Sequence, residues 1–165
     1  MLRTRREVLR LRRRGLQVSW DVSYTATPES RFSFGGSCQI QRGVLLSLDR
    51  AELTLGDDVL IGEYSNLRPY ESFIRIGSRV QLAQFVSLIA TNHVLDESGI
   101  PRRDATDLRP GKHGVVIGDE CWLGTNAVVL PGVELGARCV VGAGAVVTHS
   151  YPAGTKLTGV PARPR

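Results

Sequence analysis

An aliphatic residue recurs at every sixth position along most of this chain, and few folds can satisfy such a period. The series opens at Leu55, Ile61 and Leu67, resumes at Ile76, Leu82 and Leu88, and then runs through Ile117, Leu123, Val129, Leu135, Val141 and Val147. Leu, Ile and Val supply 44 of 165 residues yet occupy all twelve positions. Chance would give that roughly once in ten million, before allowing for choice of register. The residue after each aliphatic reads Gly56, Gly62, Arg68, then Gly77, Ala83, Ile89, then Gly118, Gly124, Leu130, then Gly136, Gly142, Thr148. Small, small, large is a unit of three unequal six-residue sides, the signature of a hexapeptide solenoid.

Three such sides per turn describe a triangular prism of short strands, each coil stacked about 4.8 Å from the last. The aliphatic points inward. The residue four further on is usually small (Val59, Ser65, Val80, Val86, Cys121, Ala127, Val133, Cys139, Ala145), as a second inward position in a narrow core should be. The Gly beside each aliphatic is expected to take positive φ at a tight corner. The expected class is therefore all-β, a parallel β-helix over residues 15–163, preceded by an Arg-rich helix or arm over 1–14 and interrupted by one excursion loop over 94–116. A slender prism buries little surface alone, so association with copies of itself is expected.

Charge is distributed unevenly. Residues 1–14 hold seven Arg and one Glu, a balance of +6, while the rest hold fourteen Lys and Arg against fifteen Asp and Glu, a balance of −1. A near-neutral body excludes a general nucleic-acid binder. The cluster of Arg3, Arg5, Arg6, Arg10, Arg12, Arg13 and Arg14 has two readings: peripheral contact with an anionic membrane, or a solvated helix or arm at the open end of the prism. No apolar run approaches the ~20 residues of a membrane span, and no secretory h-region follows the charged start. A cytoplasmic protein is expected, with the inner membrane surface as its other location. Cys38, Cys121 and Cys139 form no disulfide framework; Cys121 and Cys139 lie one coil apart and read as buried small hydrophobes.

The rhythm fails between Leu88 and Ile117, where a polar stretch carries Asp96, Arg102, Arg103, Asp104, Asp107, Arg109 and Lys112. A long loop on a rigid solenoid is where function is sought. His93 stands where the chain leaves the prism, placed to accept a proton near neutral pH. His113 marks the return and His149 follows the last strong strand; an exposed surface role is as good a reading for both.

The segment IGDECWLGTNAVVLPGVELGARCVVGAGAVVTHSYPAGTKLTGVPAR, residues 117–163, resembles the C-terminal half of hexapeptide-repeat acyltransferases, in particular the maltose, galactoside and polysaccharide O-acetyltransferase group. The matching pieces are Trp-Leu-Gly at 122–124, Leu-Pro-Gly-Val at 130–133, Gly-Ala-Gly-Ala-Val-Val-Thr at 142–148, Gly-Val-Pro-Ala at 159–162 and the Asn92-His93 pair. The resemblance implies a left-handed β-helix assembled as a homotrimer, with active sites in clefts between adjacent subunits. It implies acetyl-CoA as co-substrate, no metal, and a small-molecule or glycan acceptor. It implies His93 as general base, with Asp96 as the nearest carboxylate to orient it and Asn92 beside the acceptor. The cofactor groove would use Trp122, Gly124, Thr125, Ala143, Thr148, His149 and Arg163, with backbone amides around Gly124-Thr125 facing the oxyanion. Trp122 has a second reading, packing beneath the loop. His149 stands where relatives often carry Lys.

Two other functions fit a hexapeptide solenoid. A non-catalytic trimeric scaffold would keep the prism without the reaction. A zinc enzyme of the γ-carbonic-anhydrase kind needs three converging histidines, whereas His93, His113 and His149 lie 20 and 36 residues apart.

Overall fold

A computed structural model describes residues 2–165; the side chains of residues 2–4, 103 and 104 lie outside what it describes, so Arg3, Arg103 and Asp104 of the sequence reading are not placed. The chain winds as a left-handed parallel β-helix of about six turns. Its three faces are parallel sheets. Face A stacks the strands Gln17–Val18, Gln39–Ile40, Leu60–Ile61, Gln81–Leu82, Trp122–Leu123, Val140–Val141 and Lys156–Thr158. Face B runs from Ser23–Ala26 to Val146–Val147, and face C from Arg31–Phe34 to Val133–Leu135, where Tyr151 adds a single bridge.

The aliphatic ladder is the core. All twelve ladder residues are buried, as are the nine small residues four positions on. The ladder also reaches further back than its regular part, through Val18, Ile40 and Leu46. It is hidden there because partners along face A stand 21 residues apart at Leu60 and Gln81 but 18 apart at Trp122 and Val140. The three additional residues per early coil sit at the corner between faces B and C, at Pro69–Glu71 for example, where the wall can bulge without disturbing inward positions.

The glycines beside the ladder are not where the backbone turns left-handed. Positive φ falls two residues later, mostly on ordinary residues such as Asp58, Tyr64, Arg79, Phe85, Glu120, Asn126 and Arg138. The expectation of positive φ at Gly56, Gly62 and their equivalents is thus corrected. These glycines are required by contact with the next coil: a Cβ on Gly62 would stand 2.6 Å from the Ala83 carbonyl carbon, and one on Gly118 would stand 2.6 Å from the Ala137 nitrogen. Coils at strand spacing leave no room there for a side chain.

The inward cysteines are free and buried. Each thiol donates to a carbonyl of the following coil, Cys38 to Gly56 at 3.1 Å, Cys121 to Gly136 at 3.2 Å and Cys139 to Pro152 at 3.2 Å. Ser65 does the same toward Ala83 at 3.1 Å. A small donor at this position adds a hydrogen bond to a carbonyl at the corner of the following coil.

The Arg-rich segment is a helix, α1 (Leu2–Arg13), lying against the first coil. Val8 and Leu11 are buried in the end of the prism, and Arg14 covers the Phe34 ring at 4.9 Å. Leu9, Arg5, Arg6, Arg10 and Arg13 face outward. Of the readings of this segment, the structure has the helix that closes the prism end, an end that would otherwise expose unpaired strand edges and apolar rings.

Candidate active site

The wall breaks at the corner between faces B and C of the fourth coil. The chain leaves after Ser87–Ile89 and is back in face C at Val115–Ile117. The excursion therefore ends before residue 116, and it is not a structureless loop. His93–Leu95 pairs antiparallel with Pro101–Thr106. The base of this hairpin is tied down by the Asp107 amide donating to the Asn92 carbonyl at 2.9 Å and the Gly114 amide donating to Ala90 at 2.8 Å. Gly132, at φ +81°, lets the returning strand pass: a Cβ there would stand 2.1 Å from the Gly111 oxygen.

His93 is exposed at the start of the hairpin and borders two clefts. One, of about 330 Å³, is lined by Arg68, Tyr70, Ile89, Thr91, Asn92 and Thr106. The other, of about 560 Å³, is lined by Asn92, Leu95, Pro101, Asp107, Arg109 and Lys112. An imidazole between two solvent-connected clefts can take a proton from a bound hydroxyl and deliver it elsewhere.

Asp96 sits in the hairpin turn. Its Oδ1 accepts from the amides of Ser98 at 2.8 Å and Ile100 at 2.9 Å, closing that turn, since a short carboxylate readily reaches backbone amides two residues on. The carboxylate built into the cleft is Asp107, buried and held by Arg109 through Nε at 2.8 Å and an Nη at 2.6 Å. The Arg109 guanidinium and amide hold its carboxyl well below the usual range, at about 2.

Sequence reasoning also missed what lies beneath the hairpin. Thr106 Oγ1 donates to Glu71 at 2.5 Å, and Glu71 is also paired with Arg50. Arg68 and Tyr70 come from the same bulged corner of the third coil. The signal was present in the sequence as the nine-residue step from Leu67 to Ile76, three longer than the ladder allows.

The residues expected to hold the cofactor are not gathered in one place. Gly124, Thr125 and Ala143 lie on the edge between faces A and B, one coil apart, with the Gly144 amide donating to Thr125 at 2.8 Å. Thr148 and His149 follow the last strand of face B at the opposite edge, hydrogen-bonded to each other at 2.8 Å. Trp122 stands on the outer side of face A, 54% exposed, and does not pack beneath the hairpin. Arg163 is exposed in the closing strand Arg163–Pro164. The two edges are separated by face B, whose strands and turns span roughly 15 Å at about 3.3 Å per residue.

The histidines are equally dispersed. His113 Nδ1 is 2.9 Å from Ser72 Oγ and its ring meets Phe73 edge-on at 5.7 Å, an anchor for the returning chain. Among the described residues no three His, Cys, Asp or Glu side chains converge on one point.

Fold and sequence define the class: a hexapeptide-repeat β-helix protein related to acetyltransferases. Residues 114–149 match the bacterial transferase hexapeptide family of six repeats. Among curated relatives, the chain is 36% identical over 128 residues to a protein named as a lipopolysaccharide biosynthesis O-acetyl transferase, WbbJ of Escherichia coli (strain K12), covering 73% of this chain and 65% of that one. It is 42% identical over 92 residues to Nodulation protein L of Rhizobium meliloti (strain 1021), covering 56% and 48% respectively. The chain thus spans about two thirds and about half of these relatives. Among solved structures it superposes on AntD, an N-acyltransferase from Bacillus cereus, in complex with dTDP and 3-hydroxybutyryl-CoA. The TM-score is 0.68, with 19% identity and coverage of 96% of this chain and 86% of that one. It also superposes on a maltose O-acetyltransferase from Clostridium difficile 630, with a TM-score of 0.55, 23% identity, and coverage of 91% and 65%. At these identities the superpositions speak for the fold.

Proposed function

We propose that this protein transfers an acetyl group from acetyl-CoA to a hydroxyl of a sugar or glycan. The observation that carries this reading is the placement of His93 at the one break in the solenoid wall, between two open clefts. The sequence relative named as an O-acetyl transferase supports it.

The reaction needs no acyl-enzyme. The His93 imidazole takes the acceptor O–H proton as that oxygen bonds to the thioester carbonyl carbon. The Gly124 amide already donates to the Val141 carbonyl at 2.8 Å, so the tetrahedral oxyanion is held by the backbone amide of Thr125, a kind of contact typically worth about 3 kcal/mol of barrier. The C–S bond then breaks, and the imidazolium returns its proton to the leaving thiolate, giving free coenzyme A and the acetyl ester. Asn92 stands beside His93 to contact the acceptor. Orientation of the hairpin falls to Asp107 and to Glu71 beneath it, with Asp96 setting the turn.

A homotrimer belongs to this reading because one chain keeps the donor edge and His93 on opposite sides of face B. Face B carries Leu45, Ile89, Val128 and Val146 on its outer side, all partly exposed. Three copies turning face B toward a common axis set the A–B edge of one against the B–C edge of the next. Gly124, Thr125 and Ala143 of one copy then meet His93, Thr148 and His149 of its neighbour, with Trp122 and Arg163 flanking the donor. Where the acceptor is lipid-borne, the outward arginines of α1 supply peripheral contact with an anionic membrane; among the described residues no helix is long and apolar enough to cross one.

The test is thiol release from acetyl-CoA across a panel of sugars. His93→Ala is expected to keep coenzyme A affinity within a few-fold and to lose at least ~10² in turnover. Equal turnover in the two proteins removes His93 from the mechanism.

A further inference from the structure

Arg42, Arg50, Arg75, Arg79 and Arg109 each hold a carboxylate partner, respectively Glu63, Glu71, Glu52, Glu120 and Asp107. Arg68 holds none. Among the described residues its guanidinium has no hydrogen-bond or ion-pair partner. It closes the strand Asn66–Arg68 of face B, and its carbonyl accepts from the Ala90 amide at 3.2 Å. His93 is three residues beyond Ala90, a reach of at most roughly 11 Å of extended chain.

Arg68 and His93 line the same cleft of about 330 Å³, with Tyr70, Ile89, Thr91, Asn92 and Thr106. Among the described residues lining it there is no Asp or Glu. The carboxylates around the hairpin base are committed elsewhere. Glu71 takes Arg50 on Oε1 and the Thr106 hydroxyl on Oε2, while Asp107 is held through both oxygens by Arg109. The second cleft on His93 has the same sign, because Asp107 and Arg109 cancel and Lys112 remains. Counted without His93, each cleft carries an excess of one positive charge. Composition does not account for this, since the chain beyond residue 14 carries a balance of −1. Nor does folding, since Arg68 is exposed and the inward Leu67 anchors its strand.

Resting on the acetyl-transfer reading, we propose that the acceptor carries an anion, a carboxylate or a phosphate, and that Arg68 takes it. The planar guanidinium presents paired N–H donors that match two oxygens of either group. With the anion on Arg68, the body of the acceptor lies along the cleft toward His93, past the polar groups of Tyr70, Thr91 and Asn92. A neutral acceptor leaves the guanidinium without a partner, so the cleft selects by charge.

The test compares matched sugars by calorimetry and by thiol release from acetyl-CoA. They are galactose, galacturonate and galactose 1-phosphate, and the corresponding glucose series. The proteins are the parent, Arg68→Gln, and Arg31→Gln, which removes an equal charge from an exposed position in the first coil of face C. Each is checked for coenzyme A affinity, melting temperature and, by sedimentation, oligomeric state. The parent is expected to bind the uronate, the phosphate or both at least about ten-fold tighter than the neutral sugar. Whichever is preferred identifies the anion that Arg68 takes. Arg68→Gln loses the preference while keeping assembly, melting temperature and coenzyme A affinity, and Arg31→Gln keeps the preference. The proposal is overturned if the parent prefers no anionic sugar, if Arg68→Gln keeps the preference, or if Arg31→Gln loses it equally. It is also overturned if Arg68→Gln loses coenzyme A affinity or its assembly, which gives the guanidinium to the donor or to a contact between copies. Anion preference without thiol release in the parent instead sinks the acetyl-transfer reading and leaves the anion site standing.

Discussion

At the scale of single residues, two kinds of glycine serve different ends and can be told apart. Gly118→Ala drives a Cβ into the backbone of the next coil, whereas Gly144→Ala meets nothing within 4 Å and suffers only its φ of +69°. Overpacking against backbone costs about 1–3 kcal/mol, and a left-handed alanine about 1 kcal/mol. Thermal unfolding is expected to fall further for Gly118→Ala; the reverse order refutes the close-contact account. Burial pushes the Cys121 thiol up to about 11. The folded thiol thus holds its proton where an unfolded one, near 9, has begun to lose it. Its contribution to stability is full below pH 9 and is lost as pH rises toward 11. Labelling by a thiol reagent at pH 8 should be slow in the native protein and fast after unfolding. Asp107 has the opposite sign. Its depressed carboxyl contributes order to the loop above its ordinary value near 4, and that contribution is lost as pH falls through about 2. Asp107→Asn should raise amide exchange in residues 105–112 at pH 7 and make little difference near pH 2.

At the scale of elements, the hairpin and the capping helix are both held by side chains the ladder does not involve. The Arg50–Glu71–Thr106 contacts fasten the hairpin to the corner beneath it. Glu71→Ala is expected to lower turnover several-fold with unchanged coenzyme A affinity and unchanged melting temperature, because the prism does not use it. A matching fall in melting temperature would assign Glu71 to the fold instead. Helix α1 is anchored by Val8 and Leu11, so Leu11→Ala should cost about 2–4 kcal/mol in chemical unfolding, while Arg6→Ala should cost almost nothing. How much of these elements was legible follows the same division. Leu82, Leu88 and Ile117 announced the interruption by position alone. The pairing of His93–Leu95 with Pro101–Thr106 left no alternation in the sequence, because a short exposed hairpin has no buried face to impose one. The contacts of Asp96 with the Ser98 and Ile100 amides were hidden for a related reason: they belong to a turn that no pattern in the sequence marked.

At the scale of the whole molecule, the proposed acetyl transfer calls for more than one chain. Faces about 15 Å wide keep the Gly124–Ala143 edge and the His93 edge apart, and on that proposal donor and general base lie within a few ångströms. Co-assembly of His93→Ala with Ala143→Trp, an exposed position of the donor edge, each inactive alone, is therefore expected to restore part of the thiol-release activity in mixed oligomers. No recovery after verified subunit exchange would put a complete site within one chain. The sequence by itself determined the prism, its inward residues and the place where its wall opens, because a six-residue period is a local constraint that each coil repeats. Only the tertiary structure decided that the glycines serve coil contact, that Asp107 is the cleft's carboxylate, and that Arg68 shares a cleft with His93. Those are relations between residues 20 or more positions apart, set by how many residues each corner absorbs, and no single repeat carries that count.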